Sequence, residues 1–174
     1  MSTLKRVTQE ELDEILAKHK LWLGVEEGGK RADLSYRDLR GLSFEGENLQ
    51  GASFEGAVLT GVNLRNANLK EANLRDTMLI KTNLKKAQLF KANLENANLS
   101  MANLQESNLE AASLLGADLW KSDLRGSNLS NATLMEAKVE YADFYMATLF
   151  DTSFEGAIFK NGWEITRSTK TEGE

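Results

Sequence analysis

Ala67-Asn68-Leu69-Lys70-Glu71-Ala72-Asn73-Leu74-Arg75-Asp76 is one five-residue pattern written twice, and it runs from Ala32 to Phe159 without insertion or deletion. A large apolar residue stands at the centre of every unit: Leu34, Leu39, Phe44, Leu49 and every fifth residue onward. Of these 26 centres 20 are Leu, five are Phe and one is Val139, so the position demands bulk and little else. Two residues earlier the chain is small, with Ala in 16 units and Ser or Thr in six. One residue earlier Asn or Asp is commonest, as in Ala92-Asn93-Leu94. A strict short period of this kind is the mark of a repeat architecture.

Five residues match neither a 3.6-residue helical turn nor plain strand alternation. The period requires a bend in every unit, and alternation along the short extended piece sends the centre and the small residue two before it to one side. Four bends close a coil, so each coil takes about 20 residues, with large and small side chains layered inside. Backbone groups then bond to the coils above and below at about 4.8 Å. Like side chains stack in columns, Asn over Asn, as in cross-β arrays. Gly41, Gly46, Gly51, Gly56 and Gly61 fall at one unit position and suit the turns.

These units resemble the pentapeptide-repeat family, whose consensus is Ala-Asp/Asn-Leu-X-X. The resemblance implies an all-β solenoid, a right-handed quadrilateral β-helix with one repeat per face, here of about 26 repeats. Units 32–49 depart most, with Arg37, Leu42 and Glu47 in the small position, so the first coil is expected to be looser or covered by the N-terminal segment. The whole is read as a single domain: an N-terminal segment 1–31, the β-helix 32–160 and a polar C-terminal tail 161–174.

A solenoid has two raw ends that need covering. At the N-terminus, Thr8 with Glu11 makes a capping box, and Leu12, Ile15, Leu16, His19, Trp22 and Leu23 share one helical face. The pattern predicts an amphipathic helix over 8–23, stopped at Gly24 and laid on the first coil. Glu10, Glu11, Asp13 and Glu14 on its polar face would repel an anionic membrane. At the other end Tyr141, Phe144, Tyr145, Phe150, Phe154, Phe159 and Trp163 hold seven of 13 aromatics. Phe144, Phe154 and Phe159 are centres and belong inside, whereas Tyr145 and Phe150 follow centres and face outward. In this family a C-terminal apolar surface often joins two copies. The residues leave open a homodimer through the C-terminal coils and a hydrophobic plug for a monomer, with Tyr145, Phe150, Phe154, Phe159 and Trp163 as the set concerned.

Composition excludes several classes of function. There is no Cys, hence neither disulfide nor thiolate chemistry, and no Pro, which would interrupt a ladder. With one His, the usual zinc sets are absent. His19 lies on the inner face of the helix with no nucleophile partner, while Asp33/Asp38 and Asp118/Asp123 sit five apart on adjacent faces as ordinary repeat residues. The expectation is therefore no enzyme, no cofactor and no metal. No signal-like or membrane-spanning run occurs, so the default localisation is cytoplasmic with no membrane partner. A net charge of −5 argues against direct nucleic-acid binding.

What remains is the surface. Glu55, Arg75 and Glu95 fall in one column and suggest an ion ladder. Residues 65–91 carry seven bases against two acids, and 95–155 carry ten acids against three bases, the latter scattered over all four faces. On the face through Leu79 and Leu119 the outward positions include Val58, Met78, Ile80, Met101, Trp120 and Tyr141. Clustered outward apolar residues mark a contact surface. The reading is a rigid, non-enzymatic scaffold for a protein partner. The alternative, implied by family members that imitate B-form DNA, is a DNA-mimicking modulator of a type II topoisomerase such as gyrase. The rod has a suitable length, roughly 30 Å, but its basic belt breaks an acidic track.

Overall fold

The computed structural model describes residues 4–160. Trp163 and the rest of the segment 161–174 lie outside the described residues. The chain begins with a short strand, β1 (Lys5–Arg6), followed by helix α1 (Gln9–Leu23) and a second short strand, β2 (Arg37–Asp38). From there it is a parallel β-solenoid, in which each coil contributes single bridges rather than long strands. Bridges join residues 20 apart, from Asp33↔Ser53 through Asn98↔Asp118 to Lys138↔Ile158. Four units thus make one coil.

Every backbone donor of a typical unit has a destination, and this explains the consensus. In the unit around Leu69, Asn68 N–H donates to Glu47 of the coil below at 2.9 Å. Leu69 and Glu71 donate upward to Gln88 and Phe90, at 2.7 and 2.9 Å. Ala72 N–H closes the turn on the Leu69 carbonyl at 3.1 Å. That leaves the Lys70 N–H, and the Asn68 Oδ1 accepts it at 3.3 Å. Asn63, Asn73, Asn83, Asn93, Asp118 and Asp123 serve the same way. An unpaired amide at a half-buried corner is expensive, so Asn or Asp recurs there. These side chains are half-buried turn supports, and only some also stack as a ladder: Asn68 donates to Asn48 at 2.8 Å.

Each turn places a left-handed residue two after the centre, as a turn with positive φ at its third position requires. The glycines predicted for the turns do this at Gly41, Gly46, Gly51, Gly56 and Gly61. Most other turns use residues with side chains, among them Asn66 (φ 58°), Lys81 (φ 57°), Met101 (φ 59°) and Tyr141 (φ 62°). Ladder bonds on both sides hold those corners in a conformation that isolated residues avoid.

The interior is the predicted large-and-small layering. Leu centres from Leu34 to Leu134 and Ala positions from Ala32 to Ala137 are buried. Buried hydroxyls at the small position return to the chain: Ser107, Ser122 and Ser127 donate to the carbonyls of Leu104, Leu119 and Leu124 at 2.7–2.8 Å. The first coil is not loose, since Leu34, Leu39, Phe44 and Leu49 are fully buried. It is covered instead: β1 pairs in parallel with β2, Lys5 opposite Arg37. Leu12 of α1 is buried, and Ile15 and Leu16 pack against the same core.

α1 has its expected start, with Thr8 and Glu11 exchanging both capping-box bonds. It ends at Leu23 with Gly24 as its C-cap, as expected, while its inner face differs from expectation. Gly24 is right-handed (φ −81°), and the left-handed residue is Val25 (φ 57°). Trp22 is only partly turned inward: its ring stacks on His19 and its outer edge reaches Gly51, with 40% of the residue still exposed.

Candidate functional site

The face through Leu79 and Leu119 carries the outward apolar set, but unevenly. Met78, Met101, Trp120 and Tyr141 are exposed, whereas Val58 and Ile80 are half-buried. Val58 and Met78 stand where Asn or Asp would accept the amide two residues on, and they are bridged to each other. Apolar residues there forgo a local hydrogen bond worth about 0.5–1.5 kcal/mol. Trp120 is less open than its column suggested, at 36% exposure. The Lys121 ammonium lies 4.3 Å from its ring centroid, and Lys160 lies 4.5 Å from that of Tyr141. Two members of the apolar set, Trp120 and Tyr141, therefore make aromatic–cation contacts, a feature that the sequence columns did not reveal because Lys121 belongs to the neighbouring column.

Charge also sorts by face. The same face bears Arg37, Arg40, Lys81, Lys121, Lys138 and Lys160 against Asp38, Asp118 and Glu140. The adjoining face through Leu74 and Leu94 bears Asp33, Glu55, Asp76, Glu95, Glu136 and Glu155 against Arg75 alone. Carboxylates are thus more concentrated along the rod than the upper coils by themselves indicate. The expected Glu55–Arg75–Glu95 ladder is only half present. Arg75 reaches Glu95 at 3.3 Å and Asp76 at 3.4 Å, while Glu55 accepts from the Tyr36 hydroxyl at 2.6 Å and from Asn73 at 3.0 Å.

On the next face each base is paired. Arg65 pairs with Glu45, Lys85 and Lys86 share Glu106, and Arg125 binds Asp123 and Asp143. The side-chain bond from Arg125, set against burial, holds Asp123 at a pKa of about 2; Arg40 does the same for Asp38.

At the C-terminal coils, Tyr145 and Phe150 are largely exposed as predicted, joined by Met146 and Ile158. Phe154 and Phe159 are half-buried and packed on the core, with ring centroids 5.8 Å apart. Sequence reasoning missed Met146 and Ile158, which the unit positions of Tyr141 and Val58 identify as outward.

Among the described residues no group of three or more His, Asp or Glu side chains is placed to hold a metal ion, and no helix is long and apolar enough to cross a membrane. His19 is fully buried. Its Nδ1 accepts from the Ala32 N–H at 3.1 Å, and its Nε2 has no partner. Burial, with Arg31 adding a smaller push, lowers its pKa below the ordinary 6.5.

Fold and surface together define a rod-shaped parallel β-solenoid whose chemistry lies on open faces. The pentapeptide-repeat family model matches residues 30–66, 57–96, 92–131, 102–140 and 112–149, eight copies in all, so well over half of the chain is matched. The chain belongs to the pentapeptide-repeat family.

Solved structures of similar proteins include the pentapeptide-repeat protein Rfr23 of the cyanobacterium Cyanothece 51142. It is 27% identical, with 63% of this chain and 88% of that one covered and a TM-score of 0.44. A pentapeptide-repeat protein of the Arabidopsis thaliana thylakoid lumen is 25% identical, with 65% of this chain and 61% of that one covered and a TM-score of 0.42. QnrB1, a plasmid-mediated fluoroquinolone resistance protein, is 20% identical, with 75% and 81% covered and a TM-score of 0.43. None of the curated proteins matches this chain.

Proposed function

We propose that the protein is a non-enzymatic, cytoplasmic scaffold whose 26 units form one rod, capped by α1, that binds a protein partner. The observation that carries this is the exposure of Met78, Met101, Trp120 and Tyr141 on a single face. The ladder fixes the backbone in advance, so little ordering entropy is lost when a partner docks. Aromatic and Met anchors beside lysines suit a partner with apolar and acidic groups. The exposed Tyr145, Phe150, Met146 and Ile158 around the last coils supply a second surface, which we assign to a homodimer contact.

The test is pull-down from the native host with the full chain and with Trp120→Ala/Met101→Ala. Both side chains contribute more to the surface than to the core, so stability should change by no more than about 1 kcal/mol. A captured protein should be lost from the variant. Retention of every captured protein by a folded double variant removes this face from the proposal. Sedimentation of Phe150→Ser/Tyr145→Ser tests the homodimer, and an unchanged mass refutes it.

A DNA-mimicking modulator of a type II topoisomerase is the second reading, and the carboxylate-rich face through Leu74 and Leu94 favours it. A gyrase supercoiling assay with and without a quinolone separates the two, since a pure scaffold leaves supercoiling unchanged.

A further inference from the structure

Away from both surfaces, the end of α1 overhangs the corner of the lower coils and leaves an open groove of about 540 Å³. Trp22, Val25, Glu26, Gln50, Gly51 and Glu71 form its working surface, and no Lys or Arg lines it. The indole is held from below and from the side. It stacks on His19 at 5.4 Å and 13° between planes, and His19 is itself fixed by the Ala32 N–H. Its outer edge lies over Gly51, where an added Cβ would stand 3.5 Å from Cη2. One face of the ring is taken by His19, and the exposed remainder borders the groove.

The other residues that line the groove are negative or neutral, with Lys70 and Lys91 flanking Glu71 outside the lining. The C-terminal end of α1 carries the negative pole of the helix. Glu26 folds back on this end, with its Oε1 only 2.8 Å from the place a Cβ on Gly24 would occupy. Carboxylates are usually avoided at a helix C-terminus. Glu71 sits one coil above Gly51, in the same column. The base in the last turn of α1, Lys20, does not line the groove. Val25 forms a lip that is 94% exposed and left-handed at φ 57°, although Gly24 beside it would take that conformation without strain. Its exposed apolar side chain adds contact surface at the mouth of the groove.

We propose that this groove receives an arginine side chain of a partner protein. The guanidinium plane would lie on the free part of the Trp22 ring, its N–H groups directed to Glu26 and Glu71, and its methylenes against Val25. A planar cation that can stack and donate to two carboxylates at once fits this set better than a compact ammonium. The site is remote from the face through Leu79 and Leu119, so either contact can fail without the other.

The test uses the full chain and three capped tripeptides, Gly-Arg-Gly, Gly-Lys-Gly and Gly-citrulline-Gly, the last an uncharged isostere of arginine. The readout is the Trp22 indole N–H resonance, assigned by its loss in Trp22→Phe. The arginine peptide should shift it saturably in the millimolar range, and the citrulline peptide should leave it in place. Glu71→Gln and Glu26→Gln, both conservative enough to keep the fold, should each weaken the effect by about threefold to tenfold. An equal response to citrulline, a stronger response to lysine, indifference to both Gln variants, or no saturable shift at Trp22 would each overturn the assignment.

Discussion

Exchange of a large and a small residue inside one unit tests the layered core most directly. Ala97 is fully buried, and the Thr77 and Ala117 positions of the adjoining coils stack below and above it. Its carbonyl accepts from Asp118 at 2.9 Å, and the next amide, Asn98, donates to Thr77 at 2.8 Å, so the backbone cannot retreat without opening the ladder. Ala97→Leu therefore overpacks the core, at about 1–3 kcal/mol. Leu99→Ala empties the neighbouring large site, at about 2–5 kcal/mol. Because both side chains enter the same layer, the double variant Ala97→Leu/Leu99→Ala refills part of the space. It should be less destabilised than the two singles together by about 1–2 kcal/mol. Urea unfolding followed by circular dichroism and tryptophan fluorescence gives the three values, provided both probes share one transition. Strict additivity within about 0.5 kcal/mol would mean that the two side chains do not share a layer, and the account of the interior would be wrong.

Other consequences follow from particular contacts. His19 is the one histidine, and its folded pKa lies below 6.5 because its charged form is desolvated. Below pH 6.5 the unfolded chain takes up a proton that the native chain resists, so stability should fall with pH until the depressed folded pKa is reached. His19→Phe should flatten that slope in thermal melts, and an unchanged slope would deny His19 its buried, neutral state. At Gly29 an added Cβ would stand 2.5 Å from the Trp22 backbone nitrogen, so Gly29→Ala must push the loop off α1, at about 1–3 kcal/mol; an unaltered melting temperature contradicts that. Removal of residues 1–24 takes away β1 and Leu12 and bares the edge of β2, so light scattering should show end-to-end association, and a monodisperse product with wild-type melting would show that α1 covers nothing essential.

The five-residue period was enough to determine the solenoid, its 20-residue coil and the inward pair in each unit. That spacing buries the large centres from Leu34 to Val139. The start of α1 was equally legible, because a capping box is a local hydrogen-bond pattern. So was its stop at Gly24, whose N–H returns to the Lys20 carbonyl, and only the left-handed turn at Val25 beyond it was not. Column arithmetic found Trp120 and Met101 but not the lysines over the rings, since such contacts cross columns. The Arg75 partners were likewise decided by side-chain reach, Tyr36 having claimed Glu55. Period and local caps are one-dimensional information, and the sequence carries them whole. Which side chains meet across corners and coils depends on the distances between columns, and the fold alone sets those.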